Sequence, residues 1–198
     1  MFINFRTREI NLKIVYYGPA YSGKTTNLEV VHQRTPGQRR SEMVALKTRG
    51  DRTLFFDYMQ IELQPLFGMK PKFNLYTVPG QAEYAATRKL VLQGADGVIF
   101  VADAQSHRVS DNIQALLDMY RHLKETGGDP RKITIVIQFN KMDLPNSLNV
   151  DALRRSLGLE HFTGIRCFEA AAAHGRGVFE TLKHCISSVV EQVQQSSA

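Results

Sequence analysis

At 198 residues the chain is long enough for one α/β domain with a single core and too short to expect two, so one domain over residues 1–198 is expected. Hydrophobic residues make up 43% and charged residues 22%, which excludes a disordered polar chain, and no apolar run is long enough to cross a bilayer. A formal net charge of +6 admits nucleotide, nucleic acid, acidic protein or anionic lipid as partners without choosing among them. The opening Met1-Phe2-Ile3-Asn4-Phe5-Arg6 lacks a secretory hydrophobic region, so the expected compartment is the cytoplasm. Cys167 and Cys185 are too few for a disulfide scaffold or a four-thiolate metal site and read as packing residues.

In chain order, the apolar, β-branched run at 12–17 reads as a buried strand and is followed by a helical pattern over 25–32. Residues 35–52 are polar and basic without a clear period, which predicts a long loop, functional or mobile; its arginines and lysines read as a solvated face. Segments 53–63 and 72–78 look extended and are joined through Pro65, Gly68 and Pro71 with no helix between, so they are expected as an antiparallel pair at the sheet edge. Helical spacing at 84–92, 112–124, 151–157 and 178–193 alternates with strand-like runs at 97–101 and 133–139. This alternation is βαβ, so the sheet should be mainly parallel with helices on both faces.

Gly18-Pro19-Ala20-Tyr21-Ser22-Gly23-Lys24-Thr25 fits the phosphate-binding pattern of glycine, four residues, then Gly-Lys-Thr, placed between a strand and a helix. Glycines let several backbone N–H groups aim into one concavity, and a helix N-terminus adds unpaired donors and positive potential. The residues expected to contact nucleotide here are Gly18, Ala20, Tyr21, Ser22, Gly23, Lys24, Thr25 and Thr26, with Lys24 bridging β- and γ-phosphate oxygens and the Thr25 hydroxyl ligating magnesium. Asn140-Lys141-Met142-Asp143 follows the strand at 133–139, where an α/β sheet carries its ligand loops. A carboxylate there can accept from guanine N1 and the exocyclic amine, an edge adenine lacks. Asp143 should therefore select GTP over ATP, with Asn140 tying this loop to the phosphate loop and the Lys141 stem covering the base.

The order of phosphate loop, long loop, Pro79-Gly80-Gln81 and Asn140-Lys141-Met142-Asp143 resembles the Ras-like small GTPases along the whole chain. A closer resemblance, to the MglA-type bacterial GTPases of cell polarity and motility, is carried by several segments in order. These are Phe2-Ile3-Asn4, Arg8-Glu9-Ile10-Asn11, Lys13-Ile14-Val15-Tyr16-Tyr17-Gly18, Arg52-Thr53-Leu54-Phe55-Phe56-Asp57, Thr77-Val78-Pro79-Gly80-Gln81 and Gly177-Val178-Phe179-Glu180-Thr181-Leu182. It implies a Ras-like P-loop NTPase fold, α/β, with a mainly parallel six-stranded sheet, one antiparallel edge strand and helices on both faces. It further implies magnesium-dependent hydrolysis of GTP to GDP, slow without an activating partner; that partner is expected to be a roadblock-fold dimer, alongside effectors. Recruitment to a cell pole or to membrane-associated complexes is part of the same expectation.

By the same resemblance Thr53 binds magnesium and senses the γ-phosphate, Gly80 offers its N–H to that phosphate, and Gln81 orients the attacking water. Arg52, immediately before Thr53, is expected as an intrinsic arginine finger, so that Gln81, Arg52 and Lys24 are the catalytic candidates and Thr25 and Thr53 the metal ligands. Ala171 and Ala172 fall where the family's base-contacting loop lies and could offer N–H groups to guanine O6. Three departures stand out. Thr77 replaces the aspartate that in Ras-like proteins holds magnesium through water, a replacement the MglA type shares; Asp57 reads either as an ordinary strand-edge residue or as a compensating carboxylate. Ala20 stands where glycine is common, and residues 60–69 diverge from close relatives. No terminal cysteine box encodes a prenyl anchor. Besides a regulatory GTPase, a nucleotide-stabilised module docking on membrane or nucleic acid through its basic surface is kept open, nucleic acid being the less expected partner; an ATP-using kinase is disfavoured by Asp143.

Overall fold

The structure is a computed structural model, and it describes residues 2–46, 56–65, 68–127, 129–130, 132–161 and 164–197. Its centre is the strand Glu9–Tyr17 (β2), preceded by the short antiparallel strand Phe2–Asn4 (β1). Alternate side chains of β2 enter different core layers, which is why its second half reads as an unbroken apolar run. Leu12, Ile14 and Tyr16 pack with Leu28 and Val31 of helix Lys24–Arg34 (α1) and with Leu182, Cys185 and Val189 of helix Val178–Ser197 (α5). Val15 and Tyr17 face the other way, into a layer with Val91 and Leu92 of helix Ala85–Leu92 (α2) and Leu116, Met119 and Leu123 of helix Val109–Glu125 (α3). Leu153 of helix Val150–Ser156 (α4) completes that side. The expected α/β sheet with helices on both faces is therefore present.

The remaining strands are Val44–Leu46 (β3), Phe56–Glu62 (β4), Lys70–Thr77 (β5), Gly97–Asp103 (β6), Thr134–Asn140 (β7) and Arg166–Glu169 (β8), in the order β3-β4-β5-β2-β6-β7-β8 with β1 on β2. From β5 across to β8 all neighbours are parallel, and β4 is antiparallel to β5. The sheet differs from the sequence expectation in two respects. Among the described residues the sheet has eight strands rather than six, and the antiparallel β4 is not the edge, because β3 pairs outside it. The strands left unmarked by the sequence pattern are β1 and β3, three residues each, and β8, four residues, all too short to carry a period. The loop expected over 35–52 accordingly contains, in its described part, a 3₁₀ turn at Gly37–Arg39 and then β3.

All five parallel strands end on one rim, which brings together Gly18, Thr77, Asp103, Asn140 and the segment after Glu169. Beneath this rim a buried polar contact fixes the start of α1. Gln138 on β7 donates to Asn27 Oδ1 at 3.0 Å and lies 3.1 Å from the Thr181 hydroxyl, which itself donates to the Gly177 carbonyl. Asn27 in turn donates to the Gly23 carbonyl at 2.9 Å. Buried polar groups need such partners, so these contacts orient α1 as well as satisfy it.

Candidate functional site

The loop from Gly18 to Lys24 closes over the N-terminus of α1. Gly18 (φ 144°) and Gly23 (φ 98°) hold backbone conformations that side chains disfavour, and a Cβ at either would overlap the Val101 carbonyl or the Asn140 amide respectively. Tyr21 takes a left-handed conformation without being glycine (φ 63°), and its ring is 81% exposed at the mouth of the site. Lys24 is buried, and its ammonium donates to the carbonyls of Gly18 at 3.0 Å and Pro19 at 2.6 Å. Burial, reinforced by the positive Arg88 and Arg108, brings its pKa down to about 7, with Asp57 opposing.

Beside Lys24 a cavity of about 410 Å³ is lined by Thr25, Asp57, Thr77, Gly80 and Gln81 among others. The hydroxyls of Thr25 and Thr77 donate to Asp57 Oδ2 at 2.7 and 2.8 Å, and the Asp57 N–H donates to the Thr77 hydroxyl at 2.9 Å. Gly80 lies so close to the phosphate loop that a Cβ there would collide with the backbone of Pro19 and Ala20. The Gln81 carbonyl accepts from the buried Arg88, which places the segment carrying Gln81 against α2. Thr26 follows Thr25 in the first turn of α1. Arg52 and Thr53 lie outside the described residues.

On the same rim, Asn140 donates to the Ser22 carbonyl at 2.8 Å and accepts from the Ala172 N–H at 2.9 Å. Lys141 is left-handed (φ 67°), and its ammonium donates to Asp103 at 2.6 Å. Asp143 faces His174, with Oδ2 3.3 Å from Nε2. The Ala171 N–H donates to the Arg176 carbonyl at 3.0 Å, so both N–H groups expected to reach guanine O6 are committed to protein acceptors in this structure. One acceptor is the backbone carbonyl of Arg176 and the other the side chain of Asn140 at the end of β7, neither of which a run of alanines reveals.

The loop at 18–24, the loop after β7 and the glutamine-bearing segment thus share one rim, and the ADP-ribosylation factor family model matches residues 1–189. The chain is a small GTPase of the ADP-ribosylation factor family. This GTPase is 45% identical over 194 residues to the mutual gliding-motility protein MglA of Myxococcus xanthus, covering 98% of each chain. With ADP-ribosylation factor-like protein 6 of Caenorhabditis elegans it shares 29% identity over 149 residues, 75% of this chain and 70% of that one. Its similarity to human Ras-related protein Rab-44, 25% over 176 residues, takes in 89% of this chain and only 16% of that much longer protein. These matches make it an MglA-type GTPase of Ras-like fold, which binds guanine nucleotide and hydrolyses GTP.

Several residues at this GTPase's site carry little signal in the sequence. Asp57 had two readings, and only the pairing of β4 with β5 places it against Thr77 and Thr25. Arg88, Asp103 and Arg108 were not singled out; the available signal was Asp103, a charge ending a fully buried apolar strand at the ligand-bearing rim.

Proposed function

We propose that the protein is a regulatory switch of bacterial cell polarity or gliding motility, in which nucleotide bound over the phosphate loop controls partner surfaces near residues 35–53 and 80–88. What carries this reading is the cluster around one cavity: Lys24 aimed into the phosphate loop, with Thr25, Asp57 and Gln81 beside it. Backbone N–H groups of residues 18–26 cradle the phosphates, and Lys24 exchanges its loop carbonyls for phosphate oxygens. Gln81 orients the attacking water. Arg52 spreads the charge developing on the transferred phosphoryl group. Asp143 accepts from the guanine edge, Asn140 and Lys141 support it, and Ala171 and Ala172 border the base.

Thr25 and Asp57 offer hard oxygen donors of the kind magnesium takes, and among the described residues no group of three or more His, Cys, Asp or Glu side chains suits a metal. Thr25 and Asp57 would hold magnesium beside the nucleotide phosphates, Asp57 supplying the carboxylate that Thr77 does not; Thr53, the other expected ligand, lies outside the described residues. Bound there, magnesium would neutralise phosphate charge. A roadblock-fold dimer is the expected accelerating partner, and recruitment to a cell pole is the expected location; among the described residues no helix is long and apolar enough to cross a membrane.

The test is single-turnover GTP hydrolysis, alone and with a roadblock-fold partner, alongside exchange of labelled GDP with and without magnesium. Magnesium-dependent guanine retention with accelerated turnover supports the reading. Nucleotide that is retained but never hydrolysed would reject the switch and leave a nucleotide-stabilised binding module.

A further inference from the structure

Asp103 ends β6 directly opposite Asn140 in the register with β7, and its side chain is 1% exposed. Asn112 holds its backbone from both sides, accepting from the Asp103 N–H at 2.9 Å and donating to its carbonyl at 2.8 Å. The Gln105 N–H donates to Oδ1 at 3.1 Å. The other oxygen, Oδ2, accepts from Lys141 of the base loop at 2.6 Å and lies 3.7 Å from Nε of Arg108. Arg108 then reaches the phosphate loop, donating from Nη2 to the Ala20 carbonyl at 2.6 Å, while Asp111 pairs with its Nη1. One buried carboxylate thus stands between a cation of the base loop and a cation gripping the phosphate loop.

A strand-end cap would need only the backbone and Asn112 contacts. The carboxylate does more, because a buried charge is stable only with its partners in place, so moving one cation changes the field and position available to the other. The frame around it is stiff: the Ala104 N–H donates to the Asn140 carbonyl at 2.9 Å, and the Ser147 hydroxyl to the Lys141 carbonyl at 2.7 Å.

We propose that Asp103 is a positioning residue that couples the base loop to the phosphate loop through Lys141 and Arg108, so that guanine recognition and phosphate retention are gained and lost together. This rests on the nucleotide site described above. Engagement of the base steadies Lys141; Lys141 steadies Asp103; and Arg108 carries that constraint to the third residue of the phosphate loop. Release of GDP is then one cooperative event, and a partner that displaces either loop loosens both.

The experiment measures dissociation of fluorescent GDP from the full chain for Arg108→Ala, Lys141→Ala and the double variant, each with Asp103 and with Asp103→Asn. Each single substitution should accelerate release by roughly tenfold, the scale of a lost charged hydrogen bond. With Asp103 in place the double variant should fall well short of the product of the singles, and with Asp103→Asn the two effects should become independent. Simple multiplication in the presence of Asp103 overturns the coupling. Should Asp103→Asn fail to fold, the Arg108 and Lys141 cycle still decides, since those side chains are 23% and 27% exposed. A second readout is the ratio of affinities for GDP and inosine diphosphate, which lacks the exocyclic amine. Arg108→Ala, which removes the side chain that reaches the base loop through Asp103, should narrow that ratio; an unchanged ratio would leave Arg108 as a support of the phosphate loop alone and overturn the proposal. An unaltered chain that retains no labelled GDP would instead reject the nucleotide site itself.

Discussion

Thr25, at the start of α1, and Thr77, at the end of β5, donate to the same oxygen of Asp57, at 2.7 and 2.8 Å. A carboxylate from β4 therefore stands beside Thr77, which the resemblance to Ras-like proteins puts where those proteins carry a magnesium-supporting aspartate. Asp57→Ala is expected to weaken magnesium binding to the GDP form by roughly 10–100-fold, the usual effect of removing a group behind a metal ligand. Titrating magnesium against release of labelled GDP checks this. A magnesium midpoint unmoved by the substitution would return Asp57 to an ordinary strand residue.

On the proposed reading, Asp143 is the residue that selects the base. Asp143→Asn would leave two guanine donors poorly matched, at a cost of about 2–4 kcal/mol. Competition titrations should show weakened GDP binding together with new binding of xanthosine diphosphate. Equal affinities for ATP and GTP in the unaltered protein would contradict the assignment.

Gly80 and Ala20 make opposite predictions about hydrolysis. A methyl group at position 80 meets the backbone of Pro19 and Ala20, which cannot swing aside as a side chain can, so Gly80→Ala must displace the phosphate loop. Displacement of about an ångström at a phosphoryl-transfer site costs on the order of a hundredfold in rate. Ala20→Gly removes a methyl from the lining of the cavity that Ala20 shares with Gln81 and should quicken single-turnover hydrolysis with nucleotide affinity unchanged. Rapid-quench measurements on both variants check the pair, and a Gly80→Ala rate equal to the unaltered one would refute the contact.

Stability should fall on acidification because of His122. This residue is buried on α3, with Nδ1 3.1 Å from the Tyr17 hydroxyl, and Arg88, Arg121, Asp118 and Glu125 surround it. Burial, with Arg88 adding to it, holds its pKa below the ordinary histidine value. Below about pH 6.5 the unfolded chain therefore binds more protons than the folded one at this site, and stability drops as pH falls. His122→Asn keeps a polar partner for Tyr17 and cannot titrate there. Its thermal midpoint should fall less between about pH 6.5 and about pH 5 than that of the unaltered protein; circular dichroism melts with equal slopes would reject the role.

By itself the sequence determined the elements whose signal is local. An apolar run such as Ile14-Val15-Tyr16-Tyr17 marks a doubly buried strand; a glycine pattern before Lys24 and Thr25 marks a phosphate loop. These follow from side-chain periodicity and backbone freedom within a few residues, so they could be read without knowing the neighbours. The three-residue strands β1 and β3 could not, because they exist only through their pairing with β2 and β4. The same physics separates the site residues. Asn140 is marked by its place at the end of an apolar run, whereas Asp57 acquires its role from a β4–β5 register and Asp103 from cations supplied by Lys141 and Arg108. A carboxylate's function depends on which charges and hydroxyls lie within hydrogen-bonding distance, and only the packed sheet decides that.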